Sequence, residues 1–177
     1  MKKGLRSIIG TLIYLAIVFA VTFLFIIFVA QRTDVDGRSM ENTLQDGDSL
    51  IVDKISYRFR DPKRFEIVVF PFRYADDVLY IKRIIGLPGE TVQIDNEGHI
   101  YINGELLVES YGKEVMRNPG RAIEPIKLGE EEYFVLGDNR NNSSDGRDPS
   151  VGNIKRSDII GRAFLRIYPF SGFGTVQ

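Results

Sequence analysis

An apolar, β-branched run fills residues 78–85, Val-Leu-Tyr-Ile-Lys-Arg-Ile-Ile, and it stops at Gly86-Leu87-Pro88-Gly89. A short run of this composition that ends at Gly and Pro is typical of a β-strand. Successive side chains of a strand point to opposite faces, so Tyr80, Lys82 and Ile84 are predicted to share one face. The pattern therefore places a lysine among apolar side chains.

Similar strand patterns lie on both sides of this run. They cover residues 49–52, 65–70, 90–94, 99–102, 133–136 and 159–167. Asn103-Gly104 predicts a tight hairpin, because type I′ turns need positive φ at both central residues. Residues 95–131 are more polar as a whole and are predicted to form a loop-rich excursion. We predict a mainly β domain whose antiparallel strands fold into a sandwich or open barrel.

Residues 8–30 form the only long uncharged apolar run. A helix of this length, at about 1.5 Å per residue, spans roughly 34 Å, slightly more than a bilayer core. A cleaved signal peptide is the alternative, but its apolar region is only about 7–15 residues long. Basic residues precede the run and two aspartates follow it, which favours a cytoplasmic N-terminus. We therefore predict a cytoplasmic segment 1–7, a transmembrane helix 8–30 and an extracytoplasmic catalytic domain 31–177.

The composition argues against several classes of function. The formal net charge is −1, and beyond residue 30 the chain carries 20 basic and 24 acidic side chains. A slightly acidic domain is a poor match for a phosphate backbone, so we predict no nucleic-acid partner. The chain has no cysteine and one histidine, His99, which is predicted on the surface. Disulfides and a cysteine nucleophile are excluded, and we predict no metal and no cofactor.

A lysine in an apolar strand has a specific chemical use. Burial disfavours the ammonium and lowers its pKa from about 10.4 by up to about 3–5 units. A neutral amine can accept a serine proton, and Ser-Lys pairs replace Ser-His in some proteases. The candidate nucleophile is Ser39, in Gly37-Arg38-Ser39-Met40, at most about 30 Å of extended chain from Ala30. The alternatives are a surface lysine whose stem packs on apolar neighbours and a turn serine that bonds its own backbone.

A polar loop over residues 137–147 lies between two predicted strands and is dense in Asp, Asn, Arg and Ser. A calcium loop is one interpretation, but the Asp spacing of an EF-hand is absent. The other interpretation is a support loop. A carboxylate–guanidinium pair there would hold geometry by charge-assisted hydrogen bonds, and a serine hydroxyl would orient the lysine amine.

Together these segments resemble bacterial type I signal peptidases, the membrane-anchored serine proteases that remove signal peptides from exported proteins. The resemblance covers essentially the whole chain. It is carried by the serine segment 39–44 (Ser-Met-Glu-Asn-Thr-Leu), the strand 65–70, the lysine segment 82–90 and the loop from Gly137 to Arg147. Four such segments in this order behind an apolar anchor are a specific combination.

The resemblance implies a role for each site residue. Ser39 would be the nucleophile, Lys82 the general base, and Met40 part of the pocket for the small residue before the cut. The supporting contacts would be Ser143 near the lysine, Asp145 with Arg147, and Asp138 with Arg83. Substrates would be preproteins with small side chains, typically alanine, one and three residues before the scissile bond. They would bind at the membrane as an added strand.

Three positions depart from the pattern of the family. Proline usually stands where this chain has Asn42, and its loss is expected to loosen the turn, since proline fixes φ. The loop usually has serine where this chain has Gly146. Some members carry a hydroxyl as a second oxyanion donor where this chain has Gly37, and one lost donor costs about 10²–10³ in rate.

Other interpretations of the chain remain. A self-cleaving repressor-type protease would also use a Ser-Lys dyad, but this interpretation does not explain the apolar run at residues 8–30. An inactive relative that assembles surface structures would be favoured if Ser39 or Lys82 were missing, and both are present. The aromatic segment Tyr168–Gly174 is either a packed tail or a segment that dips into the lipid interface.

Overall fold

The computed structural model describes residues 2–75 and 77–176, and it describes no side chains for residues 2, 3, 5, 6 and 24–29. The chain begins with helix α1, Lys2–Val29. Six residues of the predicted transmembrane helix 8–30 thus lie outside the described side chains. Within the described part, no helix combines the length and the apolar character needed to cross a bilayer. Ala30, predicted as the last residue of that helix, is instead the first residue of a strand.

Twelve strands are described after α1, and their pairings are antiparallel, which confirms the predicted mainly β class. In chain order they are β1 Ala30–Asp34, β2 Ser49–Asp53, β3 Ile67–Pro71, β4 Leu79–Gly86, β5 Thr91–Ile94, β6 Ile100–Ile102, β7 Glu105–Leu106, β8 Ile126–Lys127, β9 Glu132–Leu136, β10 Ile154–Lys155, β11 Gly161–Tyr168 and β12 Gly174–Thr175. The large sheet has the order β1-β2-β11-β3-β4-β9-β10, with β12 also on β11. The small sheet has the order β7-β6-β5-β8.

The strand predictions hold for the long apolar runs and fail for short or irregular segments. The Asn103-Gly104 hairpin is confirmed, with φ of 52° and 84° between β6 and β7. The predicted strand 65–70 is wrong at its start, because Phe65 has a φ of 71° and β3 begins two residues later. Within the loop-rich excursion, β7, the second strand of that hairpin, is only two residues long, and the equally short β8 was not expected.

The apolar core that bears on the site lies beneath the segment that follows β1. It is formed by buried residues of that segment and of β2, β3, β4 and β11: Val35, Met40, Leu44, Leu50, Val52, Ile67, Val69, Ile81 and Ala163. Met40 and Leu44 are 1% and 0% exposed. Fully burying such a side chain is worth about 1.5–3 kcal/mol. These two side chains therefore hold the polar residues around them at a fixed place on the sheet.

Candidate active site

Ser39 lies on a tight turn that two buried side chains anchor. Leu44 N–H donates to the Met40 carbonyl at 2.8 Å, and Glu41 N–H donates to the Arg38 carbonyl at 3.2 Å. Because Met40 and Leu44 point into the core, the hydroxyl of Ser39 is left on the opposite, partly exposed side. The Ser39 N–H makes no hydrogen bond with the described residues, so it is available to an incoming oxygen.

Lys82 meets Ser39 although 43 positions separate them. Lys82 lies on β4 opposite Val68 of β3, and its side chain crosses to the serine turn. Its Nζ is 2.8 Å from Ser39 Oγ and 3.0 Å from the carbonyl oxygen of Ile81. The side chain is buried, and the residue is only 4% exposed. The surface-lysine alternative is therefore wrong.

The environment of Lys82 favours the neutral amine. Burial lowers its pKa from 10.5 to about 8, against the opposing effect of the Asp145 and Asp138 charges. Among the described residues Nζ donates to no carboxylate, and it lies 4.8 Å from the centre of the Tyr80 ring. At mildly alkaline pH a large fraction of the side chain is thus an unprotonated amine at hydrogen-bond distance from a hydroxyl.

Arg83, the residue after Lys82, makes the predicted ion pair with Asp138. Arg83 donates to both carboxylate oxygens of Asp138, at 2.8 and 2.7 Å, and neither side chain is exposed. Arg83 also donates to Thr43 Oγ1 at 3.1 Å, and Thr43 donates to Asp138 at 2.5 Å. The pair joins the lysine strand, the serine turn and the polar loop in one buried hydrogen-bond network.

The loop over residues 137–147 is held by the second predicted ion pair. Arg147 donates to Asp145 at 2.8 and 2.9 Å, and Asp145 also accepts from Gly137 N–H at 3.0 Å. A Cβ on Gly137 would lie 2.2 Å from Ser143 Oγ and 2.5 Å from the carbonyl oxygen of Ser39. Only glycine permits so close an approach of this loop to the nucleophile.

Sequence reasoning missed Asn139, which fixes the backbone of the serine turn. Its N–H donates to the Ser39 carbonyl at 3.0 Å, and its Nδ2 donates to the Arg38 carbonyl at 3.0 Å. The side chain is 4% exposed. A buried asparagine in a loop whose partners lie 100 positions away leaves no local pattern, so no spacing rule could have found it.

Ser143 differs from its prediction. Its hydroxyl is buried and has no hydrogen-bond partner among the described residues, so the expected bond to the lysine is not made. The hydroxyl instead packs against Gly137, on the side of the loop that faces Ser39.

Two departures from the family pattern have physical reasons in this chain. Asn42 has a φ of 102°, which proline cannot adopt, and its Nδ2 donates to the carbonyl of Tyr111 at 3.2 Å. Asparagine tolerates a positive φ, and its hydrogen bond joins the serine turn to Tyr111. A Cβ on Gly146 would lie 2.8 Å from the Val135 carbonyl oxygen, so a serine there would clash.

A strap formed by residues 109–118 crosses the three site segments and was not predicted. Glu109 pairs with Arg140 at 2.8 Å, and Lys113 pairs with Glu41 at 2.7 Å. The hydrogen bond from Arg38, and to a lesser extent that from Lys113, lowers the pKa of Glu41 to about 2. The ring of Tyr111 lies 3.7 Å from the Arg83 guanidinium carbon. Such long-range pairs have no sequence signal, which explains why this stretch was assigned only as loop.

A groove of about 490 Å³ opens at the dyad. It is lined by Thr33–Met40, by Asp77–Lys82, and by Asn142 and Ser144. Both walls have strand edges that pair with no other described strand, because in this part of the chain β1 pairs with β2 alone and residues 79–81 of β4 pair with β3 alone. Met40 lines this groove, as predicted for a residue that shapes a substrate pocket.

The described residues contain no group of three or more His, Cys, Asp and Glu able to hold a metal ion. His99 lies on the surface as predicted, with Nδ1 3.1 Å from Asp95 and 57% of its side chain exposed.

Comparisons with known proteins agree with one another. The family described as "Signal peptidase, peptidase S26" matches residues 7–168. A probable signal peptidase I-2 from Synechocystis sp. is 44% identical over 155 residues, or 83% of this chain and 67% of that protein. A signal peptidase I from Bacillus amyloliquefaciens is 38% identical over 169 residues, or 90% and 86%. A crystal structure of a signal peptidase I from Enterococcus faecalis is 34% identical with a TM-score of 0.49, covering 58% of this chain and 97% of that one.

Proposed function

The chain belongs to the signal peptidase family S26, and we propose that it cleaves signal peptides from exported preproteins with a Ser39–Lys82 dyad. The observation that carries the proposal is the 2.8 Å contact of Lys82 Nζ with Ser39 Oγ inside a buried environment. A hydroxyl at this distance from an amine with a lowered pKa has a base to which it can lose its proton.

The reaction proceeds in two stages. As neutral Lys82 accepts the Ser39 proton, Oγ attacks the scissile carbonyl carbon, and the Ser39 N–H stabilises the oxyanion. The lysine then gives its proton to the leaving amine and an acyl-enzyme remains. Lys82 next takes a proton from water, the hydroxide attacks the ester, and the proton returns to Ser39. Arg83, Asp138, Asp145 and Arg147 act as support, because they fix the lysine strand and the loop.

The walls of the groove suit an extended peptide. Two unpaired strand edges can each exchange main-chain hydrogen bonds with a substrate strand, which supplies affinity without regard to sequence. Met40 lines the groove beside Ser39 and is itself 1% exposed, so its side chain is fixed by packing where it borders the residue before the cut. This supports cleavage after Ala-X-Ala segments.

The N-terminal region supports a membrane location. The described side chains of α1 between Ile8 and Phe23 are exposed, and apolar ones such as Leu12 and Phe19 are 60% and 73% exposed. A helix that is apolar on all sides needs an apolar surrounding. We propose that α1 crosses the membrane from residue 8 to its end at Val29, with 1–7 in the cytoplasm and the domain that begins with β1 outside. Phe170 and Phe173 are 82% and 62% exposed, which supports contact of this aromatic segment with the lipid interface.

The test is cleavage of a purified preprotein by the detergent-solubilised full-length chain. We expect wild type to produce the mature protein and Ser39→Ala and Lys82→Ala to produce none. Ser171→Ala and Lys155→Ala, exposed residues outside the groove, are the matched controls and should cleave like wild type. If wild type is as inert as the dyad variants, the chain is an inactive relative and the proposal fails.

A further inference from the structure

The groove that leads away from the dyad is acidic. Three aspartates line it, Asp34, Asp36 and Asp77, of which Asp34 and Asp36 lie on the serine side and Asp77 lies on the β4 side. All three are exposed. Cationic side chains also line the groove, at Arg38 and at Lys82. Whether the groove carries a net field depends on how these charges are paired.

Pairing offsets part of the cationic charge at the groove. Arg38 pairs with Glu41, whose carboxylate is also bound by Lys113, so Glu41 offsets only one of these two cations. Lys82 is buried at the floor of the groove, and its ammonium is the minor form in the alkaline range. Asp34 is partly compensated by Arg32 at 3.2 Å.

Asp36 and Asp77 have no such compensation. Among the described residues neither carboxylate makes a hydrogen bond or an ion pair, and both remain exposed at the groove. Asp46 adds a further negative charge beside Gly37, whose N–H donates to it at 2.9 Å. The mouth of the groove is therefore negative, and its charges are free to meet a ligand.

The positions of these aspartates define which substrate residues they meet. β4 begins at Leu79, and Asp77 lies in the turn two residues before it. Five residue steps of at most about 3.6 Å separate Asp77 from Lys82, so the two lie no more than about 18 Å apart along this wall. A substrate strand that follows the wall at about 3.3 Å per residue therefore brings a side chain at most about five residues from the scissile bond near Asp77, on the Met40 side of the cut.

We propose that Asp36 and Asp77 are specificity-determining residues that favour preproteins with lysine or arginine about five residues before the cleavage site and disfavour acidic residues there. This proposal rests on the proposed function, because it assigns the substrate class of the same groove. The attraction is between exposed charges, so it modulates the choice among substrates and does not replace the recognition of small residues.

The experiment uses three peptides that share one Ala-X-Ala cleavage site and differ only in Lys, Gln or Glu at the fifth residue before the cut. The enzyme is the full-length chain in a non-ionic detergent. We expect kcat/KM to fall in the order Lys, Gln, Glu, with a Lys-to-Glu ratio of about tenfold, which corresponds to about 1.4 kcal/mol. In 1 M salt the ratio should approach one, because the Debye length falls to about 3 Å.

Variants assign the effect to the two aspartates. In the Asp36→Asn, Asp77→Asn double variant the Lys-to-Glu ratio should fall to about twofold or less. In a Glu124→Gln, Glu130→Gln double variant, which removes two exposed charges outside the groove, the ratio should stay at the wild-type value.

Two failures are distinguishable. If wild type cleaves none of the peptides, including the neutral one, and no preprotein, the proposed function fails. If wild type cleaves all three with equal kcat/KM, or if the double aspartate variant keeps the wild-type ratio, the function stands and the acidic groove has no part in specificity.

Discussion

Lys82 and Arg83 are adjacent cations on β4, and both are almost wholly buried, but their surroundings differ. Arg83 donates two hydrogen bonds to Asp138, whereas the Lys82 amine donates to no carboxylate among the described residues. The strand directs them to opposite faces, so each meets a different layer of the protein.

The difference teaches how one strand serves both stability and chemistry. A buried cation with a bidentate carboxylate keeps its charge, because the ion pair offsets much of the cost of desolvation. A buried cation without that partner relieves the cost by losing its proton, and the pKa of Lys82 falls to about 8 for this reason. Arg83 thus holds the site together, and Lys82 becomes a base.

The largest effect is expected from removal of the unpaired cation. Lys82→Met should lower kcat/KM by about 10²–10⁴-fold, the contribution of a positioned general base. The free energy of unfolding at pH 7 should not fall, because methionine fills a similar volume without a charge to desolvate. Lys155→Met, at an exposed position of β10, is the control for both measurements. A Lys82→Met protein with wild-type activity would contradict the claim that Lys82 acts as the base.

Removal of the carboxylate that pairs with Arg83 should act in the opposite way on stability. Asp138→Asn leaves a buried guanidinium without its counter-charge and should lower the free energy of unfolding by about 3–5 kcal/mol. Urea denaturation of the intact chain in detergent measures this. The Arg83→Met, Asp138→Leu double variant should lose less than the single variant, and Asp158→Asn on the surface should lose almost nothing. Equal stability of Asp138→Asn and wild type would show that the pair is not needed.

The proton of Lys82 connects stability to pH. Its pKa is about 8 in the folded chain and 10.5 in the unfolded one, so between these values only the unfolded chain holds the proton. The free energy of unfolding should therefore rise with pH in this window by about 1.4 kcal/mol per pH unit relative to Lys82→Met. Below pH 8 both states are protonated, and the difference between the two proteins should become constant.

The same proton sets the pH dependence of the proposed activity. kcat/KM should increase up to about pH 8 and then level off, because only the neutral amine accepts the Ser39 proton. Steady-state rates between pH 6 and 10 measure this, with the peptide that carries Gln at the fifth residue before the cut. Full activity well below neutral pH would mean that a different group is the base.

A smaller effect is expected at Gly146, in the loop that holds the second ion pair of the site, between Asp145 and Arg147. Gly146 lies between them, and a Cβ there would approach the Val135 carbonyl oxygen to 2.8 Å. Gly146→Ser should therefore lower the free energy of unfolding by about 1–3 kcal/mol, as overpacking does. Gly129→Ser, at an exposed position without a positive φ where a Cβ meets nothing closer than 3.4 Å, separates the steric effect from the loss of glycine. Unchanged stability of Gly146→Ser would contradict the reason given for this departure.

The sequence predicted much of the fold because its longer strands are regular. Residues 49–52, 78–85 and 133–136 have β-branched runs between turn residues, and each corresponds to a strand of the structure, except that β4 begins one residue late, at Leu79. The two-residue strand β8 was missed, since two residues carry no period to detect.

The site could be predicted only in part, for a related reason. The resemblance named the dyad and both ion pairs, and the structure brings each of them together. The bond expected for Ser143 is not made, and the strap over residues 109–118 was not found. The strap acts through single contacts between positions 28 to 72 residues apart, and such contacts depend on tertiary packing alone.

The smallest effect on stability is expected at Lys113 of that strap, a partly exposed cation that can be compared with the buried Lys82 and Arg83. Lys113 binds Glu41 at 2.7 Å, yet 43% of its side chain is exposed, so its ion pair is only partly removed from water. Lys113→Ala should lower the free energy of unfolding by about 0.2–1 kcal/mol, as exposed pairs do. The effect should shrink in 1 M salt, whereas that of Asp138→Asn should not, because its pair is shielded from ions. Lys127→Ala, at an exposed position in the small sheet, is the control. A loss for Lys113→Ala as large as that for Asp138→Asn would mean that burial does not decide what a cation contributes here.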